Sequence, residues 1–180
     1  MTVRTLSALS RPDYLVMRGL NRWSAPGWFR WWMFLATRAG DGWLWGMLGV
    51  AILFSSAPTR FEALGAGLLA VGSGTLIFRY LKRVVCRTRP RDIEPNCWAP
   101  VATRDRFSFP SGHSTTAFAV ALSLGSFYPE IMPLLLVLAA NVAVSRVFVG
   151  MHFLSDVIAG SGMGALLGYA AYRLVAFAVP

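Results

Sequence analysis

Five apolar stretches run through this chain of 180 residues, at about 42–57, 61–80, 112–128, 131–149 and 153–179. Each approaches or reaches the ~20 residues that an α-helix needs to cross the hydrocarbon core of a bilayer. Hydrocarbon offers no partner for a backbone N–H or C=O, so spans of this kind must be helical. The stretches are joined by brief reversals, such as Ala57-Pro58-Thr59 and Tyr128-Pro129-Glu130, where proline punctuates the turn. The expected fold class is therefore all-α: a polytopic membrane helix bundle of five spans in a single domain over 1–180. The first stretch is short, and Trp43 and Trp45 at the interface would help it span. A mean hydropathy of +0.54 with seven Trp and twelve Phe agrees with a membrane protein.

Residues 1–38 read differently from the 42–179 bundle. Trp23, Trp28, Phe29, Trp31, Trp32 and Phe34 alternate with Arg18, Arg22, Arg30 and Arg38. Such a mixture suits an interfacial amphipathic segment, with 11–38 as a candidate sixth span. The arginines at 4, 11, 18, 22 and 30 would break up the apolar core of a cleaved signal, so insertion through the chain's own spans is expected. The net charge of +9 is distributed around apolar spans, not over one soluble face. That favours anionic headgroups and a phosphorylated substrate, and no nucleic acid partner is expected. Cys86 and Cys97 give no disulfide framework and no metal cluster. They are either two separate thiols or, in an oxidising space, a pair. Gly160, Gly164 and Gly168 recur every four residues, which places them on one helix face for close packing.

Polar catalytic side chains are scarce here, yet they gather in three short motifs. These are Lys82-x6-Arg89-Pro90, Pro110-Ser111-Gly112-His113 and Ser145-Arg146-x5-His152-x3-Asp156. They hold both histidines and the only lysine. With the short reversals on the opposite side, all three motifs fall on one face of the bundle, and the irregular stretch 91–109 is a loop beside them. Lys82 and Arg89 are two turns apart if the helix continues, and Arg146 adds a third cation. Fixed cations with forked donors suit the three oxygens of a phosphoryl group in transfer. A polybasic juxtamembrane stretch would account for the first motif alone. Ser111-Gly112 at a helix start offers amides and a dipole to an anion, or merely an N-cap. On a helix His152 and Asp156 would stand one turn apart, a spacing at which a carboxylate can hold one imidazole nitrogen and leave the other as a nucleophile.

In order and spacing these motifs resemble the type 2 phosphatidic acid phosphatase family, residue for residue across 82–156. The resemblance implies that Lys82, Arg89 and Arg146, with Ser111 and the Gly112 amide, bind phosphate. It implies that His152 attacks phosphorus, that Asp156 orients it, and that His113 protonates the leaving group and later activates water. It implies no cofactor and no divalent metal, and the sequence shows no carboxylate or His/Cys cluster at metal-ligand spacing. The expected function is hydrolysis of a lipid phosphate or diphosphate: phosphatidate, phosphatidylglycerol phosphate or a polyprenyl phosphate. A phosphotransferase using the same site, or a non-catalytic lipid-binding or transport protein, is the alternative. The expected partners are the lipid substrate and the bilayer, and the expected location is a bacterial inner membrane. Many relatives face the periplasm, but the excess of cations on the motif side points the site to the cytoplasm. Headgroup, oligomeric state and span number stay open at this level.

Overall fold

A computed structural model of the chain describes residues 3–93, 98 and 106–178. The described residues form seven α-helices and one 3₁₀ turn, with no strand among them. The helices are α1 (Val3–Arg22), α2 (Gly27–Ala39), α3 (Trp43–Leu53), α4 (Arg60–Val85), α5 (Gly112–Phe127), α6 (Met132–Phe148) and α7 (Leu154–Ala178). The all-helical expectation holds, and α4 to α7 follow the last four apolar stretches closely.

The N-terminal third corrects the sequence reading. Residues 11–38 are not one segment but parts of two helices, α1 and α2, broken at Trp23–Pro26. The first apolar stretch yields only the 11 residues of α3. By length and composition one helix among the described residues, α4, can cross a membrane, while α3 and α6 are shorter apolar helices. The wide exposed surface is nonetheless apolar, with Leu68, Leu76, Leu134, Val137, Leu166 and Phe177 pointing outward. Patches of this extent mark a surface made for lipid or for another protein.

Helix α5 is the axis of the bundle, packed against α4, α6 and α7. It can be enclosed because its buried positions are small: Ser114, Thr115, Ala117, Ala119, Ala121, Ser123 and Gly125. The face of α7 that meets it carries Gly160, Gly164 and Gly168, all buried. A Cβ on Gly160 would stand 2.6 Å from the Ser111 carbonyl oxygen, and one on Gly168 would stand 2.5 Å from that of Ala119. The four-residue glycine spacing is thus the close-packing face expected from the sequence.

Both N-terminal helices sit at the motif end of this bundle. Helix α2 packs on α6, where Thr37 Oγ1 and Ser145 Oγ share a buried hydrogen bond of 2.8 Å. Trp23, Phe29, Trp98 and Phe148 form an aromatic cluster that fixes the α1–α2 break on the last turn of α6.

Candidate active site

Three cations enter the site from three places. Lys82 lies in the last turn of α4, 5% exposed, and its Nζ donates to the Phe107 carbonyl at 2.8 Å. The helix does not continue to Arg89. It stops at Val85, and Cys86 takes a left-handed conformation with φ of 50°. Arg89 is instead extended, ahead of the 3₁₀ turn Pro90–Asp92, so Pro90 opens a turn and does not terminate α4. Arg89 is 3% exposed and donates from Nη1 to the Met151 carbonyl at 2.7 Å. Arg146, in the last turn of α6, is equally buried. Burying cations in this way is costly unless something negative completes the site.

His152 is not on a helix; it closes the junction between α6 and α7, two residues before Leu154. Gly150, with φ of 73°, lets the chain double back so that the His152 and Met151 amides both donate to the Arg146 carbonyl. The ring is sealed, 1% exposed. Its Nδ1 lies 2.7 Å from the Ser108 carbonyl oxygen, an acceptor only, so Nδ1 carries the proton and donates. Nε2 is then the bare nitrogen, 3.3 Å from Arg89 Nη1. Burial, followed by the charges of Arg146, Arg89 and Lys82, pushes the ring's pKa well below the ordinary histidine value of 6.5.

The expected carboxylate–imidazole bond is absent from this geometry. Asp156 Oδ2 stands 3.7 Å from His152 Nδ1, beyond hydrogen-bond reach. That oxygen accepts from the Phe153 amide at 2.9 Å, capping the start of α7, while Oδ1 meets Arg87 Nη1 at 2.6 Å. Arg87 in turn pairs with Asp13 of α1 at 2.9 Å, stacks over Phe153 and donates to Ser155. Asp13 also accepts from the amide and the hydroxyl of Ser155. The carboxylate therefore holds the loop that holds the histidine.

Ser111 caps α5 as the motif predicts, accepting from the Ser114 amide, and its own amide donates to the Asp156 carbonyl. Gly112 begins the helix with the Phe78 ring against it; a Cβ there would lie 3.1 Å from that ring. His113 is at the rim, and its Nε2 is 2.9 Å from Asp41 Oδ1 in the turn between α2 and α3. The structure thus brings together Lys82, Arg89, Ser111, Gly112, His113, Arg146, His152 and Asp156 at one end of the bundle. Sequence reasoning missed Ser108, Arg87, Asp13 and Asp41. Ser108 acts through its backbone, which leaves no signal in residue type. The two aspartates were legible only as rare acids in an arginine-rich segment. Cys97 and most of the 91–109 loop lie outside the described residues; Cys86 is a free, exposed thiol.

A profile of the PAP2 superfamily matches residues 63–180, well over half of the chain. The chain belongs to the PAP2 superfamily. Among its PAP2 relatives, the phosphatidylglycerophosphatase B of Bacillus subtilis is 35% identical over 111 residues, covering 56% of this chain and 52% of the relative. The decaprenylphosphoryl-5-phosphoribose phosphatase of Mycobacterium tuberculosis is 35% identical over 127 residues, 71% of this chain and 68% of the relative. The lipid A 1-phosphatase of Rhizobium johnstonii is 38% identical over 124 residues, 63% and 50% respectively. The chain therefore spans about half the length of the Bacillus and Rhizobium relatives. A crystal structure of a transmembrane PAP2-type phosphatidylglycerolphosphate phosphatase from Bacillus subtilis superposes with a TM-score of 0.76 at 25% identity, covering 96% of this chain and 88% of that one. The Aquifex aeolicus LpxE structure shares the PAP2 fold with a TM-score of 0.74 at 23% identity, covering 88% and 93%.

Proposed function

We propose that the chain is a bacterial membrane phosphatase that hydrolyses a lipid phosphate or diphosphate through a phosphohistidine on His152, without a divalent metal. One observation carries the reading: the Ser108 carbonyl occupies Nδ1 of His152 and leaves the Nε2 lone pair beside Arg89. A neutral, sealed imidazole among buried Lys82, Arg89 and Arg146 is a nucleophile waiting beside an anion site.

The chemistry follows from that placement. The three cations, with Ser111 and the Gly112 amide, neutralise the phosphoryl oxygens. Nε2 forms a bond to phosphorus while the bond from phosphorus to the lipid oxygen breaks. The departing oxygen keeps the electron pair and takes a proton from His113. In the second half His113, now a base, takes a proton from water as its oxygen attacks phosphorus. The P–N electron pair returns to Nε2 and inorganic phosphate leaves. The two histidines thus begin in opposite protonation states, as acid–base pairs with divided roles must.

The proposed substrate class is phosphatidate, phosphatidylglycerol phosphate or a polyprenyl phosphate; relatives are named for phosphatidylglycerophosphate and for a decaprenylphosphoryl compound. A cytoplasm-facing site at the inner membrane is part of the same proposal. Helices α1 and α2, which carry the arginines at 4, 11, 18, 22, 30 and 38, lie at the motif end, whereas among the described residues only Arg60 and Arg173 belong to the other. The positive-inside rule favours that orientation. Labelling of Cys86, exposed at the motif end, tests it: an impermeant thiol reagent should fail to modify it in intact cells.

The test of the chemistry is phosphate release from purified lipid phosphates in excess chelator. Activity should persist, and an acid-labile, base-stable phosphoenzyme should be trappable. His152→Ala should abolish both. Strict dependence on magnesium or zinc, or phosphoenzyme surviving in His152→Ala, overturns the reading.

A further inference from the structure

The turn between α2 and α3 reaches the rim histidine in a way that the three motifs do not contain. Asp41 lies outside the segment matched by the family profile, which begins at residue 63. Its Oδ1 stands 2.9 Å from His113 Nε2, and its Oδ2 is 3.5 Å from Arg38 Nη1. Both carboxylate oxygens are therefore engaged, one by the imidazole and one by a guanidinium of its own helix end.

The turn is built to sit there. Gly40 leaves no room for a side chain, since a Cβ would lie 2.6 Å from Val142 Cγ1 and 2.9 Å from His113 Cδ2. Gly42, with φ of 110°, adopts a backbone that L side chains rarely take, and it caps the start of α3. Two glycines thus seat Asp41 against the His113 ring. Trp43 Nε1 closes the turn on the Arg38 carbonyl at 2.7 Å. Buried Thr37 ties the same helix to Ser145, one residue before Arg146. The position of Asp41 is fixed from both sides of the turn.

We propose that Asp41 is a positioning residue for the general acid: it holds the His113 ring by Nε2, so that Nδ1 is the nitrogen that gives its proton to the leaving group. A carboxylate against one imidazole nitrogen fixes both the ring orientation and the nitrogen that faces the reaction. The inference rests on the assignment of His113 as acid under the proposed function, and it extends the site to a helix turn outside the family core.

The experiment compares two substrates on the full-length protein in mixed micelles. A phosphatidate has a poor alkoxide leaving group and needs the proton; a nitrophenyl phosphate scarcely does. In single turnovers, Asp41→Asn should slow phosphoenzyme formation from phosphatidate by about 10–100-fold, the order expected when a catalytic group is misplaced by an ångström or so. Half-saturation of that step by phosphatidate, and phosphoenzyme formation from the nitrophenyl ester, should hardly move. Asp41→Glu should restore part of the phosphatidate rate. If Asp41→Asn does not fold, Asp41→Ser carries the same comparison. Equal losses on both substrates, or no loss on either, overturn the proposal. His113→Ala run in parallel separates the two readings. If it shows the leaving-group pattern and the Asp41 variants do not, only the role of Asp41 fails. If His113→Ala lacks the pattern, the acid assignment itself fails.

Discussion

The imidazole of His152 hangs from a backbone carbonyl, that of Ser108, at 2.7 Å, while the carboxylate four residues on stays at 3.7 Å. A carbonyl cannot become protonated or leave, so the tautomer of His152 is set by main-chain geometry. The neutral ring should survive well into acid. Burial and the cations Arg146, Arg89 and Lys82 hold its pKa well below 6.5. Phosphoenzyme formation on a nitrophenyl ester, which spares the acid step, should therefore keep its rate as pH falls through 6.5 and drop only well below it. Rapid-quench measurement across that range checks this. The stability effect has a definite sign. Below 6.5 the unfolded histidine takes a proton that the native one refuses, so the unfolded chain binds more protons and its share grows. This contribution is fully present above 6.5 and is lost as pH falls towards the lowered native value.

Asp156→Asn should act through the loop. Where an aspartate bonds directly to a catalytic histidine, the same change costs about 10⁴-fold in the serine protease case. Here the amide loses the Arg87 ion pair but leaves the Ser108 bond in place. A smaller fall in kcat is expected, on the order of 10–100-fold from a displaced nucleophile. A loss as large as that of His152→Ala would show that the carboxylate reaches the ring during turnover.

Asp13→Ala should destabilise the fold without touching a reacting atom. The change removes the α7 cap at Ser155 and strands Arg87, 15% exposed, with one carboxylate in place of two. Breaking a buried pair costs about 3–5 kcal/mol, and the exposure of Arg87 puts the expected loss at or below the lower end. Thermal unfolding in detergent reads it, and Arg87→Met, which strands the carboxylates of both Asp13 and Asp156, should lose more.

Gly160→Ala should lower activity and stability together. Its methyl would stand 2.6 Å from the Ser111 carbonyl, so α7 must move off α5 or the Ser111 turn must shift. Overpacking of this kind costs about 1–3 kcal/mol. Gly162→Ala, where a Cβ meets nothing within 4 Å, is the control and should be silent in both assays.

Helices α4 to α7 were legible because each is a long apolar run with punctuation at both ends, and the glycine stripe of α7 announced its packing face. The eight candidate residues drawn from the motifs, which the structure gathers at one end of the bundle, stood out because polar chemistry is rare in such a chain. Local conformation around them was not. A spacing of seven from Lys82 to Arg89 fits a helix as well as the helix end, left-handed Cys86 and extended Arg89 that the structure shows. The His152–Asp156 spacing likewise fits a helical pair, though only Asp156 is helical. What spacing cannot convey is the long-range partner: the Ser108 carbonyl, 44 residues away, and Asp13, more than a hundred positions from Ser155.

The two N-terminal carboxylates divide labour between unlike stretches of chain. Every signature residue lies within 82–156, yet the groups that clamp the His152 loop and meet the rim histidine come from positions 13 and 41. A fragment starting at residue 63 would possess a full inventory of motifs and still lack those two supports. Completeness of signature and completeness of site are separate properties here, and the N-terminal stretch ahead of the family profile supplies the difference.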